Sequence, residues 1–357
     1  MAAVIYICST ETFSGKSAVC TGLGRHLRRE GFSIGYMKPV STMARKIKGR
    51  VIDEDAEFIK DAFGLSEPSE VLAPVALTPE MVETLLKGEA KIDFEAKLKE
   101  AFSQVSKERD VVILEGGGSL REGYIVGLPT PYVADLLDAR ELTVIKYNND
   151  LQVVDDALAA RWRLGDSMIG VLINTVPRQR ISFMEEVISP ALEERGVKVL
   201  GILPRERILL SISVGELAEC LGGEILCCPE HSEELVEHLM VGAMSVDSAL
   251  TYFRRKPNKA VITGGDRPDI QLAALETSTK CLILTGNLRP SPIILGRAEE
   301  VGVPMILVKQ DTLTTVEIIE QFFGKTRFHQ EKKVQCFERT LDECFDFDAL
   351  YKALGLR

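Results

Sequence analysis

The sequence predicts an α/β protein made of two units, a doubly wound parallel sheet followed by a smaller α/β unit. At 357 residues the chain exceeds the roughly 100–200 residues of an ordinary domain. Apolar, β-branched runs alternate with segments of helical spacing, which is typical of βαβ units around a parallel sheet. The alternation breaks at Pro204-Arg205-Glu206-Arg207, and a second alternating series begins after it. We therefore expect a domain boundary near residue 205.

The first unit is predicted to span residues 1–204. Its apolar runs predict strands at 3–8, 33–37, 110–114, 142–146, 168–173 and 197–202. Helical spacing predicts helices at 16–30, 53–62, 80–88, 92–108, 150–164 and 180–194. Ligands of open parallel sheets bind at the carboxyl ends of the strands, so the residues that follow these strands are the candidates for a site.

The second unit is predicted to span residues 205–325. Its predicted strands are 223–227, 259–263, 280–284 and 304–308. Its predicted helices are 213–221, 232–239, 245–253, 267–276, 291–301 and 312–323. Residues 326–357 are highly charged, and we expect them to form a C-terminal packing tail with a short helix.

Composition excludes several functional classes. The formal net charge of −10 opposes binding to nucleic acid and to acidic membrane surfaces. No apolar run reaches the ~18 residues needed to span a bilayer, and the N-terminus has no basic flank. The eight cysteines include no Cys-x-x-Cys pair, as expected of reduced thiols. These features predict a cytoplasmic protein that binds neither nucleic acid nor membrane.

The loop after the first predicted strand has the residue types of a phosphate-binding loop. Backbone N–H groups at a helix N-terminus attract phosphate, Lys16 adds a full positive charge, and the Ser17 hydroxyl suits a magnesium shell. Thr10 stands where the common motif has its first glycine. ATP and Mg²⁺ are the predicted ligands. The predicted nucleotide-binding residues of the loop are Thr10, Glu11, Thr12, Phe13, Ser14, Gly15, Lys16 and Ser17.

Polar residues also follow other predicted strands. Glu115 ends an apolar run before three glycines, where an acid can bind the magnesium shell and glycines allow close approach to phosphate. Lys38 closes the second strand, and Asp55 lies in the acidic start of the next helix, where Asp53 is better explained as the helix N-cap. Asn174 ends another strand; its amide suits a base edge, yet a turn-forming Asn before proline explains it equally well.

The loop resembles the Gly-Thr-Asp-Thr-Glu-Val-Gly-Lys-Thr loop of dethiobiotin synthetases, and the segment around Lys38 resembles their Tyr-Lys-Pro-Val segment. The resemblance implies that Lys38 faces the transferred phosphate, Asp55 joins the metal shell, Asn174 reads adenine and the protein is a homodimer. MinD-type ATPases have a signature lysine where Glu11 stands, so a polymerising switch is not expected. The loop residues in matching places are Ser9, Thr10, Glu11, Thr12, Gly15, Lys16 and Ser17.

Residues 115–139 depart from the synthetases. They resemble the synthetase-like N-terminal module of long bacterial phosphotransacetylases. Residues 261–275 resemble the DRTGG domain that follows that module, with Thr263-Gly264-Gly265-Asp266-Arg267 as a turn that either contacts a ligand or subunit or only starts a helix. The two resemblances cover about 1–325 and leave no segment for the acetyltransferase domain. We therefore expect that the chain is not a phosphotransacetylase by itself.

Two functions follow as hypotheses. In the first, the chain binds Mg-ATP and acts as a nucleotide-dependent sensor or regulatory subunit, with a metabolic enzyme as its partner. In the second, it is an ATP-dependent ligase that activates a carboxylate or carbamate, like a dethiobiotin synthetase or a cobyrinic acid amidase, with Lys16 and Lys38 as catalytic residues. A weak ATPase activity is compatible with both. A scaffold without nucleotide would leave Lys16, Ser17, Asp55 and Glu115 without a role.

Overall fold

The computed structural model describes residues 2–47, 49–89, 91–322, 328 and 330–356. The chain divides into two compact units. One comprises Met1–Arg205 together with Phe328–Arg357, and the other comprises Glu206–Arg327. The first unit is therefore built from two stretches of chain, and the second unit is inserted between them. None of the described helices is both long and apolar enough to cross a membrane.

The first unit contains a six-stranded sheet in the order β10-β9-β8-β1-β7-β2, and every pairing in it is parallel. This confirms the predicted α/β fold class. Its strands are β1 Ala3–Ser9, β2 Ile34–Met37, β3 Val40–Ser41, β4 Arg45–Ile47, β5 Arg50–Ile52, β6 Val75–Ala76, β7 Val111–Glu115, β8 Arg140–Lys146, β9 Met168–Val176 and β10 Val199–Pro204. Its helices before the second unit are α1 Lys16–Arg29, α2 Glu54–Phe63, α3 Ser69–Leu72, α4 Pro79–Leu86, α5 Phe94–Val105, α6 Thr130–Leu136, α7 Asp150–Leu164, α8 Ile181–Phe183 and α9 Ser189–Glu193.

Strand β1 lies in the middle of this sheet, between β7 and β8. All its residues from Val4 to Ser9 are buried, as expected of a parallel strand covered on both faces by helices. Strands β7 and β8 flank β1 on opposite sides, so the chain order of the sheet reverses at β1. Sheets of this kind bind ligands beside the carboxyl ends of the strands at such a reversal. The phosphate loop begins at this end.

The predicted helix at 180–194 is not one continuous α-helix. After α8, residues Met184–Ile188 form a π-helical turn, and α9 follows. Pro190 explains the break, because its nitrogen carries no hydrogen to donate to the preceding turn and its ring clashes there. Helical spacing alone does not reveal this change of pitch.

The second unit contains a five-stranded sheet in the order β12-β17-β16-β15-β14, in which only β12 runs antiparallel to its neighbour. Its strands are β11 Ile212–Ser213, β12 Glu224–Cys227, β13 Leu235–Val236, β14 His238–Val241, β15 Lys259–Gly264, β16 Thr279–Thr285 and β17 Met305–Leu307. Its helices are α10 Val214–Leu221, α11 Val246–Phe253, α12 Pro268–Leu275, α13 Pro292–Val301 and α14 Thr312–Phe322.

The predicted helix at 232–239 is wrong. Leu235 and Val236 pair with Ser213 and Ile212, and β14 begins at His238. Strand β14 pairs in parallel with β15 and supplies the edge of the sheet. A short apolar segment fits either period, and the neighbouring strand decides between them.

Two further helices return to the first unit after the second, α15 Glu331–Cys344 and α16 Phe347–Leu354. The side chains of Phe337 and Leu341 on α15 pack against Gly22 of α1, where a Cβ would lie 3.0–3.1 Å from them. On α1, His26 stacks on the Phe347 ring, with the ring centroids 3.5 Å apart, and its Nε2 lies 2.8 Å from the Tyr351 hydroxyl. The tail thus contains two ordered helices rather than the one short helix that we expected.

Candidate functional site

The phosphate loop connects β1 to α1 and is anchored to the end of β9. Gly15, the N-cap of α1, has φ +98, and a Cβ there would lie 2.4 Å from Asn174 Nδ2. Glycine is required on both counts. Asn174 Nδ2 donates to the Ser14 carbonyl at 2.8 Å, which fixes the loop against the sheet. Phe13 also has positive φ, +54, and its side chain is 46% exposed.

Lys16 is a buried cation, only 8% exposed, at the first position of α1. Its Nζ donates to Ser9 Oγ at 2.7 Å and to the Gly118 carbonyl at 3.3 Å. Burial lowers the pKa of Lys16 below its ordinary value, although Glu115 favours the charged form. Both hydrogen-bond acceptors are neutral, so the ammonium group would gain much from an anion beside it.

Glu115 is 1% exposed at the end of β7, and hydroxyl donors hold both of its carboxylate oxygens. Ser17 Oγ donates to Oε1 at 2.8 Å, and Tyr36 Oη donates to Oε2 at 2.9 Å. Burial raises the pKa of Glu115, and Lys38 acts against this rise. Sequence reasoning missed Tyr36, because a tyrosine in an apolar strand gives no sign that its hydroxyl reaches an acid on the neighbouring strand.

Lys38 lies between three carboxylates. Its Nζ is 2.9 Å from Asp53 Oδ2, 3.0 Å from Asp55 Oδ2 and 3.9 Å from Glu115 Oε1. Burial disfavours the ammonium form, but the three acids outweigh burial and raise the pKa of Lys38. The structure thus brings Lys38, Asp55, Glu115 and Ser17 into one connected set.

Asp53 performs a structural task in this set. Its Oδ1 accepts from the Ala56 backbone N–H at 2.9 Å, which confirms the predicted N-cap of α2. Its carboxylate also accepts from Ser41 Oγ and Lys38 Nζ. Burial alone would raise the pKa of Asp53, but Lys38 and these donors lower it below its ordinary value.

Glu122 is a second residue of the site that sequence reasoning did not identify. A Cβ at Gly117 would lie 2.2 Å from Glu122 Oε2, and one at Gly118 would lie 2.3 Å from Oε1. Thr42 Oγ1 donates to Glu122 Oε2 at 2.7 Å. The one available signal was that residues 115–139 depart from the dethiobiotin synthetase pattern.

Asn174 lies at the site, 6% exposed, but its amide is engaged by the protein itself. Besides the bond to Ser14, its Oδ1 accepts from the Thr175 N–H at 2.9 Å. Thr175 has φ +61, an uncommon conformation for a β-branched residue. The adenine-reading role of Asn174 stays a prediction.

On the other side of the loop, Glu11 Oε1 accepts from Asn148 Nδ2 at 2.8 Å.

Comparison with known proteins identifies the families of the two parts of the chain. A family model described as an AAA domain matches residues 3–212. The chain belongs to this family. A second model, the DRTGG domain, matches residues 216–322. The combination confirms the resemblance to the N-terminal region of long phosphotransacetylases.

Three known proteins illustrate the relationship. Phosphate acetyltransferase of Nitratidesulfovibrio vulgaris is 25% identical over 95% of this chain and 50% of its own length. ATP-dependent dethiobiotin synthetase BioD of Methanococcus vannielii is 28% identical over 56% of this chain and 92% of its own. The chain thus spans about half the length of the phosphate acetyltransferases it matches. A solved cobyrinic acid a,c-diamide synthase from Mycobacterium smegmatis is 16% identical over 58% of this chain and 88% of its own, with a TM-score of 0.38.

The AAA domain contains all the predicted site residues, and the DRTGG domain lies in the other unit. Within the described ranges, no three His, Cys, Asp or Glu side chains are grouped as metal ligands. The AAA domain instead places one hydroxyl oxygen, Ser17 Oγ, beside one carboxylate oxygen, Glu115 Oε1. It suits a metal that arrives with phosphate oxygens and water as further ligands.

Proposed function

We propose that this chain binds a magnesium–nucleoside triphosphate, with ATP as the expected nucleotide, at the phosphate loop and acts as a nucleotide-dependent sensor or regulatory subunit. One observation carries the proposal. Among the described residues, the buried ammonium group of Lys16 has only neutral hydrogen-bond acceptors, Ser9 and Gly118, at the N-terminus of a 14-residue helix. Such a position favours a phosphate group.

The loop residues fit a nucleotide. Ser14 Oγ is buried and has no hydrogen-bond partner within the described part of the chain. A buried hydroxyl that lacks a partner is costly, and a phosphate oxygen would satisfy it. Lys16 would hold phosphate. Ser17 and Glu115 would hold magnesium. Asp55, whose carboxylate contacts Lys38, would join the magnesium shell. Bound magnesium would neutralise phosphate charge.

Regulation is favoured over catalysis by the family architecture. The AAA and DRTGG domains together resemble the N-terminal region of long phosphate acetyltransferases, and the chain spans about half the length of those proteins. We infer that the AAA domain responds to nucleotide and passes the response to a metabolic enzyme, as a partner or as a further domain. A homodimer and a cytoplasmic location belong to the same proposal.

An ATP-dependent ligase is the second candidate. Lys38 favours it, because a lysine beside the metal-side carboxylates can stabilise charge that develops on a transferred phosphoryl group. The dethiobiotin synthetase relative, of which this chain covers 92%, carries that activity in its name. The substrate would be a carboxylate or carbamate.

Thermal unfolding with and without Mg-ATP tests the proposal. Binding to the native state adds RT ln(1 + [L]/Kd), about 2.7 kcal/mol at a hundredfold excess over Kd, so the melting temperature should rise. Lys16→Ala should abolish the rise. A Lys97→Ala variant, which removes an exposed lysine of α5, should retain it. No rise with wild-type protein at millimolar Mg-ATP would refute nucleotide binding. Phosphate release stimulated by diamino acids and bicarbonate would favour the ligase, and its absence would favour the sensor.

A further inference from the structure

Glu122 lies in the phosphate site, and the proposed function gives it no task. The half-buried side chain folds back onto the glycine turn that follows β7. The distances from hypothetical Cβ atoms at Gly117 and Gly118, 2.2 and 2.3 Å, place both carboxylate oxygens directly against this backbone. Thr42, which follows β3, donates a hydrogen bond of 2.7 Å to Oε2. The carboxylate therefore joins two segments that border the site.

The same glycine turn also contacts the phosphate loop. The Gly118 carbonyl accepts from Lys16 Nζ at 3.3 Å, and a Cβ at Gly118 would lie 2.7 Å from Thr12 Cγ2. The charge of Glu122 stabilises the ammonium form of Lys16. One negative group of the protein thus already lies within electrostatic reach of the cation that the loop offers to phosphate.

A carboxylate in this place has two effects on an incoming anion. It fills space over glycines whose lack of side chains would otherwise let phosphate approach the backbone. It also repels a second negative charge, and this repulsion is strong in a partly buried site because screening there is weak. Both effects increase with each phosphate group that extends toward the turn.

We propose that Glu122 is a specificity-determining residue that makes the site discriminate between nucleoside diphosphate and triphosphate. With its carboxylate on Gly117 and Gly118, the site holds the diphosphate. The triphosphate binds only after Glu122 has left Thr42 and the glycine turn. This inference rests on the proposed nucleotide binding and deepens it, because a sensor must differ in structure between its two ligands.

The segment that Glu122 anchors is suited to report the change. Tyr124 and Ile125 follow it in a 3₁₀ turn, and both side chains are exposed. Tyr124 Oη accepts from Arg163 Nη2 at 3.1 Å, and the Arg163 guanidinium lies 5.7 Å from the centroid of the Tyr124 ring. Release of Glu122 would free residues 119–127 to rearrange relative to α7.

Calorimetric titration of the full chain with Mg-ATP and Mg-ADP tests the inference. Wild type should bind ADP at least tenfold more tightly than ATP. Glu122→Gln should bind ATP at least tenfold more tightly than wild type and change ADP affinity little. Thr42→Val should shift ATP affinity in the same direction by a smaller factor. Glu100→Gln removes the same charge from an exposed position on α5 and should match wild type.

Hydrogen–deuterium exchange supplies a readout independent of affinity. Residues 119–127 of wild type should exchange faster with Mg-ATP than with Mg-ADP, and Glu122→Gln should show fast exchange with either. If Glu122→Gln and Thr42→Val both show the same ratio of ATP to ADP affinity as wild type, the role of Glu122 is overturned while nucleotide binding remains intact. A wild-type chain that binds neither nucleotide would instead contradict the proposed function, and the role of Glu122 with it.

Discussion

Glu115 shows how much the site depends on single hydroxyl groups. Its buried carboxylate accepts from Ser17 and Tyr36, and Tyr36 is itself fully buried. Tyr36→Phe would leave Oε2 without this donor while filling the same space. Because hydrogen bonds to charged groups contribute about 1.5–3 kcal/mol, we expect the free energy of unfolding to fall by about 2 kcal/mol. Urea unfolding followed by circular dichroism measures it, with Tyr252→Phe on an exposed ring as the control. Equal stability of the two variants would contradict this account.

Glu141 predicts a pH dependence. It is buried at the start of β8, and burial raises its pKa from 4.5 to about 7, although Ser167 donates to its carboxylate. The folded state then retains a proton that the unfolded state releases between about pH 4.5 and 7, so stability falls as pH rises through this window. Glu141→Gln should remove the fall and be more stable than wild type by about 3 kcal/mol at pH 8, with little difference at pH 4. Urea unfolding at both pH values decides, and an unchanged slope in Glu141→Gln would refute the assignment.

For single residues, the sequence indicated the positions of the motifs but not the side chains that contact them. Lys16, Ser17 and Glu115 could be singled out because each follows a strand that is recognisable by its apolar run. Tyr36 and Glu122 could not, because their hydrogen bonds with Glu115 and Thr42 join segments distant in the chain and leave no local pattern. Register between β2 and β7, which places Tyr36 beside Ile113, is a tertiary property.

Two glycines of helix α1 let neighbouring helices pack closely against it, α15 at Gly22 and α2 at Gly24. A Cβ at Gly24 would lie 2.1 Å from Cζ of Phe63, a buried ring at the end of α2. Gly24→Ala should therefore destabilise the first unit by about 1–3 kcal/mol, although alanine favours helix formation. Gly296 in α13 offers a matched control, since within the described ranges nothing beyond its chain neighbours and its own helix backbone lies within 4 Å of its Cβ position. Gly296→Ala should therefore stabilise by up to about 1 kcal/mol. Chemical unfolding of both variants tests the pair; a shift of the same sign would contradict the packing argument.

Long, strongly patterned elements were predictable from sequence, and short ones were not. Predicted strand 3–8 and helix 150–164 correspond to β1 and α7, because both have many residues of one period. The segment 232–239 became strand because its neighbours offered backbone partners. Strands of two or three residues, such as β3 and β6, exist only through their pairing and leave no period to detect.

The whole molecule consists of a first unit interrupted by a second, and the two should differ when isolated. Residues 1–205 alone would lack α15 and α16 and expose the α1 surface that contacts Phe337 and Leu341. We expect this fragment to unfold at lower urea concentration than residues 1–205 joined by a short Gly-Ser linker to residues 328–357. Residues 206–327 should unfold as one cooperative transition, because they contain their own sheet and cores. Circular dichroism of the three proteins checks this, and equal midpoints for the first two would refute it.

The interrupted arrangement also determines how the protein responds to a protease. A single backbone cleavage near residue 205 would not release the second unit, because its other end continues into α15 and α16. Those two helices would then stay bound to α1 by noncovalent contacts. The contacts are the stacking of His26 on Phe347 and the ion pairs of Arg25 with Glu331 and of Arg29 with Asp342. Release of the DRTGG domain would require a second cleavage, or solvent conditions that break the contacts of α15 and α16 with α1.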